Sequence, residues 1–425
     1  MQKELSINDY KGIVGEKYID QLEHLAALSR DKKVIMINST KSGGGVAEIL
    51  CRLVPLLNEL GVQCEWKVIE GDNRFFKITK NIHSALQGEK ICFSDEELQY
   101  YLEINQKNAK SISLNADIVV IHDPQPLPLL KFYSKEKSKW VWRCHIDISN
   151  PNLSLWKYLK KYLYLYDASI FSISKFSKKL PHPQFLILPS IDPLSDKNRD
   201  LNSDEIEGVL NSLKITREKP LILQVSRFDR FKDPVGVIKA YRLVKKEINC
   251  QLVLAGGTAS DDPEGGEVLE EVMKEANSDP DIHILLLKPN SDIEINALQR
   301  SADVVIQKST KEGFGLVVTE ALWKEKPVIG GAVGGITTQI RNYQNGFLVH
   351  SIDGAAYRIR YLLNRPHIAK IMGKQAKKFA AENFLITRHL RDYLTLFIVL
   401  YNKGKNIIKI EEGEIEHTFR KIKYL

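Results

Sequence analysis

Two doubly wound α/β domains facing a cleft are what this sequence predicts, on three observations. Short apolar runs alternate with longer amphipathic stretches from end to end, the pattern of a parallel sheet covered by helices. That scheme is interrupted by the polar, proline-bearing stretch Pro189 to Ser203, which reads as an interdomain linker, and then starts again. A chain of 425 residues also exceeds what one hydrophobic core usually serves.

In the first half, Val34 to Asn38 reads as a strand, followed by the turn Ser42-Gly43-Gly44-Gly45 and a helical pattern from Val46 to Leu60. Further strands are expected at Gln63–Val68, Asp117–Ile121, Trp140–Cys144, Ser169–Ile173 and Phe185–Leu188, with helices between them. The second half repeats the scheme with strands at Leu221–Val225, Gln251–Leu254, Ile282–Leu286, Val304–Ile306 and Pro327–Ile329. A long helical region is expected from Ile368 to Tyr401, with Pro366 near its start. The tail from Gly404 to Leu425 reads as either a strand pair about Glu412-Gly413 or an added helix.

Hydrophobic content of 43% is ordinary for a globular chain. No apolar run approaches the roughly 18 to 20 residues that span a bilayer. The start, Met-Gln-Lys-Glu-Leu-Ser, has no apolar signal core, so a cytoplasmic protein is expected. The formal charge is +8, but acidic residues accompany the basic ones nearly everywhere. A solvated surface with an anion site explains that balance, and no motif supports nucleic-acid binding. Five scattered cysteines, without Cys-x2-Cys spacing, indicate buried free thiols rather than a zinc ribbon or disulfide framework.

The chemistry concentrates in two segments. Lys308 to Glu320 reads Lys-Ser-Thr-Lys-Glu-Gly-Phe-Gly-Leu-Val-Val-Thr-Glu, a two-glycine loop leaving an apolar strand and opening a helix over Leu316 to Trp323. Glycines at 313 and 315 let a ligand approach the backbone, and the helix start offers unpaired N–H groups suited to phosphate. Glu312 and Glu320 flank that seat, and carboxylates there suit hydroxyl recognition. A sugar nucleotide carries both phosphate and hydroxyls. The second segment, Gln224 to Pro234, puts Arg227 and Lys232 just past the strand Leu221–Val225, at the carboxyl end where open α/β sheets bind ligands. Two cations there suit a diphosphate, whereas isolated loop cations are usually only solvated.

Together, Arg227 and Lys232 followed by Glu312 and Glu320 resemble the donor-site signature of the retaining GT-B glycosyltransferases of the glycogen-synthase-like group. The resemblance narrows at Val141 to Asn152 (Val-Trp-Arg-Cys-His-Ile-Asp-Ile-Ser-Asn-Pro-Asn), at Leu188 to Asn198 and at Glu294 to Arg300. These stretches are similar to the trehalose glycosyltransferring synthases and the related trehalose phosphorylases. The likeness runs from about residue 10 to about residue 400.

It implies an acceptor-binding domain over residues 1–190, a nucleotide-sugar domain over 191–385, and a crossover helix with tail over 386–425 that packs back on the first domain. It also implies roles. Arg227 and Lys232 would hold the leaving diphosphate, and Glu312 the 3-hydroxyl of the donor sugar. His145 would touch the donor's 6-hydroxyl side. Phe314 and Gly315 would offer backbone N–H groups, with Leu316 beside them, and Glu320 would take the ribose. The turn containing Gly44 and Gly45 would face the reaction centre. Asp147 and Asp123 would bind acceptor hydroxyls, although Asp123 before Pro124 could equally be a helix cap.

Metal and cofactor are not expected: no Asp-x-Asp pair is positioned for a nucleotide-bound cation, and Asp261-Asp262-Pro263-Glu264 reads as a helix cap. Expected partners are small-molecule sugars and sugar nucleotides, with no nucleic acid and no membrane; a homodimer is an allowed assembly. The expected reaction is trehalose formation, α,α-1,1, from a nucleoside diphosphate glucose and free glucose, reversible in direction. The alternatives are phosphorolysis by inorganic phosphate, a lipid or envelope acceptor met by Trp156 to Tyr164, and a non-enzymatic sensor, which the intact site residues disfavour.

Overall fold

The computed structural model describes residues 6–30, 32–41, 44–134, 138–257, 263–288 and 290–401. Within them stand two six-stranded parallel sheets. The first comprises β1 (Lys33–Asn38), β2 (Gln63–Val68), β3 (Ile118–His122), β4 (Lys139–Arg143), β5 (Ala168–Phe171) and β6 (Gln184–Leu186), in spatial order 2-1-3-4-5-6. The second comprises β7 (Leu221–Val225), β8 (Gln251–Gly256), β9 (Ile282–Leu286), β10 (Val304–Gln307), β11 (Val328–Gly331) and β12 (Gly346–Val349), in order 12-11-10-7-8-9.

These orders decide where ligands can bind. Strand sequence reverses between β1 and β3 in the first sheet and between β7 and β10 in the second, and the loops leaving such neighbours diverge to open a crevice. Gly44 and Gly45 follow β1, and Asp123 follows β3; Arg227 and Lys232 follow β7, and Glu312 follows β10.

Each sheet is apolar on both faces, because parallel strands are covered by helices on both sides. One layer of the first sheet joins Val34, Met36, Val120 and Val141 to Leu50 and Leu53; the other joins Ile35, Val119, Trp140 and Trp142 to Phe75 and Tyr101. β12, a four-residue strand entered through Gly346, was not foreseen; its short run carries too little alternation to be read.

The long helical region is two helices, Pro366–Asn383 and Ile386–Tyr401. The break falls where Leu385 makes a strand-like bridge to Ile191, with Ile191 N donating to Phe384 O at 2.8 Å and Ile386 N to Ile191 O at 2.9 Å. Ala376, Ala380 and Phe384 are buried with the second sheet, whereas Ile386, Leu390, Tyr393, Leu394 and Phe397 are buried with the first. The chain therefore changes partner sheet at the break.

The stretch from Pro189 to Ser203 is more packed than its polarity suggests. Asp192 and Asn198 are buried, and Tyr10 Oη donates to Asp192 Oδ1 at 2.9 Å. All five cysteines are free, but only Cys64, Cys144 and Cys250 are buried, while Cys51 and Cys92 are exposed. Ser42, Gly43, Asp261, Asp262 and the tail 404–425 lie outside the described residues.

Candidate active site

Two loops of the second sheet are zipped together at its switch point. Lys232 Nζ donates to Glu312 Oε2 at 2.6 Å, and both side chains are mostly shielded, at 20% and 10% exposure. Gln224 Nε2 fixes the backbone at Lys232 by donating to its carbonyl at 2.8 Å. Glu312 is held in turn by Ser309 Oγ, which donates to Oε2 at 3.2 Å and accepts from Gln307 Nε2 at 3.1 Å. Thr310 N donates to Phe231 O at 2.8 Å, and the Lys308 ammonium pairs with Asp233. Asp233 caps the helix Pro234–Lys245 from a left-handed backbone at φ 50°, accepting from Gly236 N at 3.0 Å. Sequence reading missed Gln224, Asp233, Lys308 and Ser309, which look like ordinary polar loop residues until the loops are brought together.

The glycine loop has two steric requirements. Gly315 takes φ +86° to enter the helix Leu316–Trp323, a backbone conformation that L side chains rarely adopt. A Cβ on Gly313 would lie 2.5 Å from the carbonyl oxygen of His145, so the loop touches the first domain through bare backbone. Phe314 buries its ring against Phe384, centroids 5.7 Å apart, which leaves only its backbone for a ligand. Gln339 Nε2 holds the Phe314 carbonyl at 2.5 Å.

Opposite stands the first domain. Leu316 Cδ1 lies 2.8 Å from where a Cβ of Gly45 would be, so the turn after β1 and the helix start after β10 meet across the cleft. Arg227, at 63% side-chain exposure, is paired only loosely with Asp229 at 3.6 Å. Its charge is felt by His83 on the first domain's helix Asn73–Leu86, which burial and then that cation push down to about 4.

Glu320 is buried at 2% exposure, yet lines a cleft shared with Glu48, Arg52, Asp192, Lys197 and Leu316. Lys197, from the linker, crosses this cleft, pairing with Glu48 at 2.8 Å and Asp292 at 3.5 Å. Burial raises the Glu320 carboxyl above the usual carboxylate range, and the Lys197 and Lys324 cations oppose that rise.

The residues expected to meet the acceptor, Asp123 and Asp147, are tied into local bonds, and so is His145, expected on the donor side. Asp123 stands at φ 64° and accepts His145 N on Oδ1 at 2.7 Å; it joins two strand ends and caps no helix. Burial pushes it up to about 7. Asp147 Oδ1 accepts from Ser149 N at 2.9 Å and from Ser149 Oγ at 2.6 Å. The His145 ring stacks on His122, with Nε2 3.0 Å from His122 Nδ1. Both imidazoles are held neutral by burial, reinforced by the Arg143 cation. Among the described residues, no group of three or more His, Cys, Asp or Glu converges as a metal site, and no helix is long and apolar enough to cross a membrane.

Two parallel α/β sheets meeting at a cleft, with cations and carboxylates at the switch point of the second, define the GT-B glycosyltransferase class. The fold agrees with solved structures: sucrose-phosphate synthase from Thermosynechococcus elongatus superposes with TM-score 0.70 at 17% identity, covering 87% of this chain and 99% of that one. An Escherichia coli trehalose-6-phosphate structure bound with UDP-2-fluoro glucose gives TM-score 0.71 at 14% identity, covering 86% and 99%. The family descriptions "Trehalose synthase, N-terminal domain" and "Glycosyl transferases group 1" match residues 36–178 and 207–379. The trehalose synthase of Thermococcus litoralis is 46% identical over 92% of this chain and 96% of its own. That of Rubrobacter xylanophilus is 43% identical over 93% and 97%. The trehalose phosphorylase of Pleurotus pulmonarius is 28% identical over 94% of this chain and 62% of its own. The chain belongs to the trehalose synthase family of group 1 glycosyltransferases.

Proposed function

We propose that this protein forms trehalose by transferring glucose, with retention, from a nucleoside diphosphate glucose to the anomeric hydroxyl of free glucose. The observation that carries the reading is the Lys232–Glu312 contact at 2.6 Å, which holds a cation and a carboxylate side by side at the mouth of the glycine loop. A leaving diphosphate needs the first and a sugar hydroxyl the second.

In the reaction proposed, the bond from the donor's anomeric carbon to phosphate oxygen breaks. A new bond forms from that carbon to the acceptor oxygen on the same face, and the departing phosphate oxygen takes the acceptor proton. Lys232 and Arg227 would stabilise charge on the leaving group, Arg227 through its planar fork and Lys232 as a point charge. Glu312 would position the donor sugar, and Glu320 the ribose. Asp123 and Asp147 would shape the acceptor side, chiefly by fixing backbone positions, and His145 would face the donor's 6-hydroxyl side. The two cations would neutralise the diphosphate without a metal, and the work is proposed to take place in the cytoplasm.

Phosphorolysis is the second reading, supported by the family's phosphorylase relatives, but the lower identity of 28% favours the synthase. Incubating the protein with trehalose and, separately, ADP, UDP, GDP or inorganic phosphate tests both. Appearance of a nucleoside diphosphate glucose supports the proposal. Glucose 1-phosphate from the phosphate arm alone overturns it.

A further inference from the structure

We infer that Lys324 and Gln299 are positioning residues for the nucleotide, joined in a one-way hydrogen-bond relay that aims Glu320 at the ribose; this rests on the ribose reading proposed above. Neither residue belongs to the two loops that carry the signature. Gln299 lies in the helix Asp292–Ser301, and Lys324 follows the helix that bears Glu320. Gln299 is fully buried, while Lys324 and Asn198 are exposed by only 4% and 3%.

Burial pulls the Lys324 amine down to about 7, while the Glu320 charge works to keep its proton. As the ammonium it has three donors and no acceptor, and it finds three oxygens: Gln299 Oε1 at 2.7 Å, Asn198 Oδ1 at 2.9 Å and Glu320 O at 3.3 Å. A buried ammonium satisfied in this way can only face the carbonyl oxygen of Gln299. It therefore fixes the amide's orientation, and the NH2 group must point the other way, where Nε2 donates to Glu320 Oε2 at 3.3 Å. Asn198 is oriented by the same logic, since its Nδ2 donates to Asp192 O at 3.1 Å and Ser195 Oγ at 3.2 Å.

Two consequences follow. The glutamate's rotamer is set before a ligand arrives, so binding does not have to order a side chain with three rotatable bonds. The relay also ends on the linker, whose neighbouring Lys197 reaches Glu48 of the first domain. The same arrangement that aims Glu320 is thus anchored beside the interdomain ion pair.

Isothermal titration of UDP and ADP into wild type, Glu320→Ala, Gln299→Met, Lys324→Met and the double variant tests the relay, with glucose affinity and Tm measured in parallel. Each single change should weaken nucleotide binding about tenfold, the loss expected for one hydrogen bond to a charged group, with glucose affinity unchanged. The double variant should be no worse than its weaker parent, because both changes cut one chain. Gln299→Glu keeps an acceptor for Lys324 but sets a second carboxylate against Glu320, and should weaken nucleotide more than Gln299→Met does. A lowered Tm with unaltered nucleotide affinity in Gln299→Met and Lys324→Met overturns the relay. If Lys324→Met does not fold, Gln299→Met carries the test alone. Weakened binding in Glu320→Ala without it in Gln299→Met sinks the relay only; unaffected binding in Glu320→Ala sinks the ribose reading and the relay with it.

Discussion

Lys232 and Glu312, eighty residues apart in the chain, meet at 2.6 Å because β7 and β10 are neighbours in the second sheet. Their pairing without substrate keeps a cation and an anion in a shielded position without an isolated charge on either, which would be costly. A bound diphosphate would share the ammonium, and a sugar hydroxyl would take up the carboxylate. Lys232→Ala should therefore cost turnover about 2 to 4 kcal/mol in barrier, roughly 30- to 1000-fold. Lys232→Arg should recover little, since a planar guanidinium does not reproduce the compact point charge of an ammonium. A Lys232→Ala enzyme with near-normal kcat would refute the leaving-group role.

Arg227 offers a cleaner separation of stability from activity. It is largely solvated, and its pairing with Asp229 at 3.6 Å is long. Loss of such an exposed pair changes stability very little. Arg227→Ala should leave the melting curve unchanged while lowering kcat/KM at least tenfold, an effect typical of a lost charge-assisted contact to phosphate. Equal activity in mutant and wild type would return Arg227 to the class of solvated loop cations.

Turnover should survive chelation. Two basic side chains at the switch point suit the neutralisation of a diphosphate by protein charge alone. Activity assayed after dialysis against EDTA is expected to match the untreated enzyme. A loss that magnesium or manganese restores would show that a cation travels with the nucleotide.

Asp123 sets a pH dependence whose sign can be worked out. Burial raises its folded pKa to about 7, whereas in the unfolded chain it ionises near 3.9. Below the unfolded value the group is protonated in both states and costs nothing. As pH rises through the window up to about 7 the unfolded chain releases its proton first, so stability is lost and stays lost above it. Asparagine can still accept the His145 N–H and never ionises. The Tm advantage of Asp123→Asn over wild type should therefore widen from about pH 5 to about pH 8. A difference that is flat or shrinks over that range would mean Asp123 is ionised without penalty in the fold.

Much of this was legible in the sequence. β2, β7 and β9 end where their apolar runs end, and the helix Leu316–Trp323 begins at the glycine that must turn the chain. Periodicity and turn chemistry are local properties, so a local reading recovers them. The same holds for Arg227, Lys232 and Glu312, which follow strand ends, and for Glu320 in the helix after β10, since their placement follows from the order of elements along the chain.

Other features only the tertiary structure decided. The break at Phe384 and Leu385 has no strong local signal; it exists because Ile191 offers a backbone partner there and because the residues before and after it are buried against different sheets. Asp123 reads in sequence as a helix cap or an acceptor ligand; it caps no helix, and its Oδ1 joins the ends of β3 and β4 through His145 N. Asn198 and Gln299 fall in stretches that carry the family resemblance, but nothing local gives them or Lys324 a role; they become a relay only when a helix, the linker and the segment after Glu320 are buried together. The sequence by itself determined the elements and the charged groups at their ends. Which of those groups would touch was decided by strand order and close packing, since a hydrogen bond between residues far apart in the chain depends on both partners being brought within about 3 Å and shut away from water.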